Sequence, residues 1–142
     1  MLRKKLFCIV LIIMICFLSA CSSNLTSKEA IVNLYTENEA LFASAASDGS
    51  FSDLENLSGV QKVLVYDEYT DIRCGGSGFG SSTHYYGIFF SEKDDLCAVD
   101  VAGPLDELAK DGDGYRYKQS DGDNEYYVEP LGNHYFYYEA HF

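Results

Sequence analysis

The sequence predicts an α+β fold: one N-terminal amphipathic helix packed on an antiparallel sheet of five to seven strands. Three observations lead there. Apolar residues recur at intervals of three and four between Ile31 and Ala45. After Gly59 the period falls to two, and Val, Ile, Tyr and Phe dominate. Turn residues then separate the apolar runs at short intervals. A helix followed by an unbroken series of strands argues for an antiparallel sheet with the helix on one face. The chain's 142 residues leave room for one domain.

The elements follow in order. Thr26-Ser27-Lys28-Glu29 fits a capping box, with Thr26 as N-cap and Glu29 reaching back to it. The stripe Ile31, Leu34, Tyr35, Leu41, Phe42 and Ala45 is interrupted once, by Asn38, and Gly49 is the expected stop. Ile31, Leu34, Leu41 and Phe42 are the predicted buried face. Phe51, Leu54 and Leu57 allow one more turn or two. Strands are expected over residues 60–66, 69–74, 84–91, 96–101, 115–119, 125–129 and 134–141. Gly103-Pro104 followed by Leu105, Leu108 and Ala109 reads as the start of a short helix. Asp121-Gly122 is expected as the centre of a two-residue hairpin turn. That register sets Ser120 opposite Asp123, Lys118 opposite Glu125, and Tyr117 opposite Tyr126.

The first twenty residues read as an address. Arg3, Lys4 and Lys5 precede an unbroken apolar run, Leu6 to Leu18, and then Ser19, Ala20 and Cys21. The run spans roughly 20 Å as a helix, too short for a hydrocarbon core of about 30 Å. This is the layout of a cleaved secretory signal. Leu18-Ser19-Ala20-Cys21 resembles the lipobox of bacterial lipoproteins. The resemblance implies cleavage before Cys21 and a diacylglycerol on its sulfur. Residues 1–20 are then the signal peptide, 21–27 a lipidated tether, and 28–142 a single α+β domain. The implied location is extracytoplasmic, with the bacterial cell membrane as a partner through the lipid on Cys21. Two or three acyl chains hold a protein stably where one does so only reversibly.

Charge narrows the partners. Of 10 Lys and Arg, three lie in the leader, so seven remain against 22 Asp and Glu, a balance of −15. Nucleic acid and anionic head groups are disfavoured. With 12 Tyr and 9 Phe, composition excludes disorder.

The segment from Cys74 to Thr83, Cys-Gly-Gly-Ser-Gly-Phe-Gly-Ser-Ser-Thr, reads as a mobile hairpin loop or as a recognition loop. In the second reading Ser77, Phe79, Ser81, Ser82 and Thr83 face a partner. A phosphate cradle would need a Lys and a helix after the glycines, and neither is there. No serine is flanked at both positions as a nucleophile elbow requires. This segment, Tyr85-Tyr86-Gly87-Ile88-Phe89-Phe90, and the tail from Tyr135 to Phe142 together resemble a pattern in small uncharacterised secreted proteins and lipoproteins of low-GC Gram-positive bacteria. That resemblance implies a location and carries no functional residue.

Other motifs are weaker. Asp111-Gly112-Asp113 and Asp121-Gly122-Asp123 fail the EF-hand spacing and read as acidic turns, with calcium as a non-standard option. His84, His134 and His141 lack zinc-site spacing, and nothing in the spacing requires a Cys74–His84 nucleophile pair. No catalytic residue, metal or cofactor is assigned. The tyrosines of the last third serve either as cross-strand packing or as a contact surface. Cys74 and Cys97 are expected as separate buried thiols. In a simple meander their strands stand about 9.6 Å apart, beyond the roughly 7 Å a disulfide spans.

Two functional classes remain open. One is a non-enzymatic binding domain, in its specific form an immunity or inhibitor module for a basic extracytoplasmic protein. The other is a cell-envelope enzyme acting on the wall through surface carboxylates. A concave pocket with converging carboxylates would favour the second.

Overall fold

The computed structural model describes residues 24–79, 82–96 and 107–142. The leader, Cys21, Ser81, Cys97, Pro104 and the strand expected over 96–101, Leu96 excepted, lie outside the described residues.

The single helix expected is two helices, α1 (Lys28–Glu37) and α2 (Glu39–Asp48). Asn38 divides them. Its side-chain amide donates to the Leu34 carbonyl at 2.8 Å, and its backbone N–H donates to Tyr35 rather than continuing the α ladder. A short polar side chain competing for backbone partners is a known helix breaker. The N-cap is Ser27, not Thr26: its hydroxyl accepts from the Ala30 N–H. Gly49 ends α2 in the left-handed region, as expected. Ile31, Leu34 and Phe42 are buried, while Leu41 is half-buried. A 3-10 turn over Ser52–Asn56 follows.

The sheet has seven antiparallel strands: β1 (Lys62–Val65), β2 (Thr70–Phe79), β3 (Ser82–Phe90), β4 (Ala109–Asp111), β5 (Gly114–Lys118), β6 (Glu125–Gly132) and β7 (Tyr135–His141). Their order is β1-β2-β3-β7-β6-β5-β4. β3 is therefore flanked by β2 and β7, and the simple meander through residues 96–101 does not form. Ala109 starts a strand rather than ending a helix. The β5–β6 register is as predicted, with Lys118 opposite Glu125 and Tyr117 opposite Tyr126. The connection is nonetheless a four-residue loop over 120–123, closed by the Gln119 N–H donating to the Asn124 carbonyl, and not the two-residue turn expected: neither Asp121 nor Gly122 takes the positive φ that such a turn needs.

Both faces of the sheet are apolar. The helices cover one, where Ile31, Leu34, Tyr35, Phe42 and Leu54 meet Ile72, Ile88, Tyr135 and Tyr137. The Phe42 ring packs edge-on to Tyr135, with centroids 5.1 Å apart. The opposite face carries Phe89, Tyr117, Tyr126, Val128, Phe136 and Tyr138, with Leu96 and Leu108 packed against it.

Candidate functional site

The glycine segment is strand rather than loop. β2 continues through Gly78 to Phe79, pairing Ser77 with His84 and Phe79 with Ser82. A bulge between Arg73 and Gly75 accommodates Cys74, which is a free, fully buried thiol. The glycines answer a tertiary contact. A Cβ on Gly75 would stand 2.0 Å from the Leu25 carbonyl oxygen, so only glycine lets the incoming chain lie against β2. The Leu25 N–H donates to the Cys74 carbonyl at 3.1 Å. The Asn24 side chain accepts from the Gly76 N–H at 3.0 Å and donates to the Gly76 carbonyl at 3.2 Å. Of the predicted recognition residues, Ser77, Phe79 and Ser82 are exposed and Thr83 is half-buried at this strand end.

Inward from that end, on the helix side of the sheet, lies a depression of about 250 Å³ lined by His84, Tyr86, Arg116, Glu125, Tyr127, Glu139 and His141. Cross-strand register places them together: His84 faces His141, Tyr86 faces Glu139, and Arg116 faces Tyr127. The two imidazoles stack at 3.9 Å, and the buried His141 Nε2 has no hydrogen-bond partner among the described residues. Arg116 binds Asp111 at 2.6 Å and Glu125 at 2.8 Å, linking three strands. Burial alone would lower the guanidinium's pKa, but its two carboxylate partners outweigh that and raise it. Glu139 accepts from the Tyr137 hydroxyl at 2.8 Å. Both carboxylates of the depression therefore already have side-chain partners. The volume is also below the roughly 300–1,000 Å³ of ligand pockets. This arrangement is suited to charge pairing rather than to acid–base chemistry on a substrate.

The opposite end of the sheet is different. There the Tyr66–Tyr69 turn carries Asp67 and Glu68, β3 runs out into Glu92, Asp94 and Asp95, and the β4–β5 turn carries Asp113. Tyr66 is 48% exposed and its ring stacks on Tyr69. A groove of about 670 Å³ opens between α2 and the end of β3, lined among others by Asp48, Phe51, Phe90, Glu92 and His134. His134 Nδ1 lies 2.9 Å from the Asp94 carboxylate. Acidic rims around apolar floors suit a cationic side chain with an apolar stem.

The C-terminal tyrosines are core, except Tyr115, which is half-buried. Tyr117, Tyr126, Tyr127, Tyr135, Tyr137 and Tyr138 are buried, so they are excluded as a contact surface. Five of their hydroxyls are anchored, those of Tyr126, Tyr127, Tyr135, Tyr137 and Tyr138: Tyr135 donates to the Phe42 carbonyl and Tyr126 to the Leu96 carbonyl, both at 2.8 Å. Burial, then the neighbouring Asp71 carboxylate, pushes the Tyr138 hydroxyl well above its ordinary pKa. Sequence reading missed the group this hydroxyl serves. Asp71, 2% exposed, accepts from Tyr138 at 2.7 Å and from Arg73 at 2.9 Å. The signal was present: Asp71 and Arg73 two apart in a strand share a face. Tyr138 reaches Asp71 across Gly87, where a Cβ would come within 2.9 Å of the ring.

Among the described residues no group of three or more His, Cys, Asp or Glu is placed to hold a metal ion, and no helix is long and apolar enough to cross a membrane. Comparison with protein-family models, with curated proteins and with solved structures gave no match to this chain.

Proposed function

We propose that this chain is a lipid-anchored extracytoplasmic binding module, non-enzymatic, whose acidic sheet end receives a basic protein at the cell surface. One observation carries the reading. Asp67, Glu68, Glu92, Asp94 and Asp95, with Lys93 the one cation among them, lie at one end of the sheet, which also carries the exposed Tyr66 in its turn and the apolar-floored groove on the helix side, opposite the end toward which Asn24 enters. The lipobox resemblance at Leu18-Ser19-Ala20-Cys21 supplies the anchor, and the net charge supports rapid association with a cationic partner. An immunity or inhibitor role against a basic toxin or hydrolase is the specific form. The engaged state of Glu125 and Glu139 weighs against a wall-acting enzyme.

The test is site-specific photocrosslinking on intact cells. A benzophenone side chain at Tyr66 should capture a basic extracytoplasmic protein, and one at Ser82 should not. Capture at Tyr66 should weaken with added salt and vanish when Asp67 and Glu68 are reversed to Lys. Capture that survives the reversal would refute the reading.

A further inference from the structure

We propose that the β2–β3 corner of the sheet, with Phe79 at its tip, rests on the bilayer that holds the protein. This rests on lipidation of Cys21, and adds which part of the domain meets the lipid.

The point of entry of the chain is fixed. Asn24 is held to both backbone groups of Gly76, Gln61 donates to its side-chain oxygen at 3.1 Å, and Leu25 is bonded to Cys74. Cys21 is three residues before Asn24, so their Cα atoms are no more than about 11 Å apart on any path. Direction matters as much as reach. Going back from Leu25 to Asn24 follows β2 from Cys74 to Gly76, toward Phe79. Phe79 is three residues further along the strand, about 10 Å. The acidic end, by contrast, lies the other way along the strand, about 20 Å from Gly76 to Thr70.

Surface chemistry agrees. From Cys74 to Thr83 there is no charged side chain, in a mature chain whose balance is −15. Anionic head groups repel the acidic parts of the domain and leave this corner as the approach of least repulsion. The β5–β6 turn at the same end carries Asp121 and Asp123. It lies three to four strand spacings across the sheet, roughly 14–19 Å, so its repulsion tilts the domain onto the β2–β3 corner. Phe79 is 96% exposed, against 67% for Val65 and 48% for Tyr66. A single exposed ring is ordinary on a protein surface. This one stands within reach of the lipid and on an uncharged strand end.

The chain contains no Trp, so a single introduced Trp is an unambiguous reporter. The mature lipoprotein would be reconstituted in phosphatidylcholine–phosphatidylglycerol vesicles carrying a shallow spin-labelled lipid quencher. Phe79→Trp should be quenched several-fold more than Tyr66→Trp at the far end. Ser82→Trp, paired across the hairpin from Phe79, should behave like Phe79→Trp and covers the case in which the first variant disturbs the tip. Equal quenching at the two ends, quenching stronger at Tyr66→Trp, or none at either would overturn the proposal, including when the tip binds a second copy or a protein instead. The mass of the mature chain separates the two failures. If Cys21 carries no lipid, both readings fall. If Cys21 is lipidated and the protein floats with the vesicles without differential quenching, only the orientation falls.

Discussion

Replacing Gly75 by Ala is the sharpest probe of why this chain places so many glycines on one strand. The new methyl would sit 2.0 Å from the Leu25 oxygen, 2.7 Å from the Leu25 carbonyl carbon and 2.9 Å from Asn24 Oδ1. Ordinary contacts are about 3.5–4.0 Å, so the entering segment must shift by more than an ångström. The shift costs the Leu25–Cys74 bond, both Asn24–Gly76 bonds and the Gln61–Asn24 bond. At the lower end of the range for single hydrogen bonds, because most are exposed, these total about 2–3 kcal/mol. Reduced freedom of the unfolded chain returns about 0.5–1 kcal/mol to an Ala variant. The net expectation is a loss of about 1–2.5 kcal/mol, read as a lower urea midpoint at unchanged slope. Hydrogen exchange adds a local readout: the Leu25 amide should lose protection while the Ile72 and Ile88 amides keep theirs. Asn24→Ala, which removes bonds without adding bulk, should show the same local release. A Gly75→Ala variant within about 0.5 kcal/mol of wild type, with Leu25 still protected, would refute the account, since that is the scatter of ordinary surface changes.

Three further outcomes follow from the buried polar groups. Tyr138→Phe removes one of the two side-chain donors of Asp71 and should lower stability by about 1.5–3 kcal/mol in urea titration, the range for a bond to a charged group. Burial, reinforced by the Asp71 carboxylate, pushes the Cys74 thiol up to about 12, so it should ignore an aromatic disulfide reagent in the native protein and react once the chain is unfolded. Burial alone would raise the pKa of Glu129, but the Lys28 and Tyr127 hydrogen bonds outweigh it and hold it below its ordinary 4.5. Its contribution is therefore full above that value and is lost as pH falls through the lowered folded one. Glu129→Gln should flatten the acid limb of a urea-midpoint profile below about pH 4.5, by under about 1 kcal/mol, because Lys28 keeps 43% of its side chain in water.

Local chemistry in the sequence was enough for some elements. The helical stripe located Ile31, Leu34 and Phe42 in the core, and the position of the Asp121-Gly122 turn signal located the β5–β6 register, though the turn itself is a four-residue loop without positive φ at either residue. What it missed was non-local. Pairing of β3 with β7 joins His84 to His141 across 57 positions, and no turn signal encodes such a partner. The glycines at 75 and 76 read as loop because their backbone freedom is visible in sequence. The reason for Gly75, close approach of Asn24 and Leu25, lies some fifty residues upstream, while a Cβ on Gly76 would crowd the His84 carbonyl of the paired strand. Asn38 was visible as a polar gap in the stripe, but a gap does not say whether a helix tolerates or breaks at it. The tyrosines were ambiguous because a ring with a hydroxyl suits a core as well as a surface, provided the hydroxyl finds a partner. Here the partners are backbone carbonyls and carboxylates brought in by other elements.

The position of the depression bears on the choice between binding module and enzyme. His84 and His141 pair in the same row as Ser77, two residues from the strand end that carries Phe79. On the proposed lipidation of Cys21, that row would lie on the lipid side of the domain. A wall polymer would have to pass between an acidic domain and an acidic membrane surface to reach Glu125 and Glu139. That approach is electrostatically unfavourable for an anionic polymer, and both carboxylates already hold partners. The groove beside Phe51, Phe90 and Glu92 has neither obstacle. It opens at the far end, about 30 Å along the strands from Phe79. There the field of Asp67, Glu68, Asp94 and Asp95 extends beyond a Debye length of about 8 Å only weakly, so capture requires a partner brought to the surface itself. The proposed lipid tether at Cys21 would turn this acidic end outward, where the proposed role is interception of a basic protein as it arrives at the membrane.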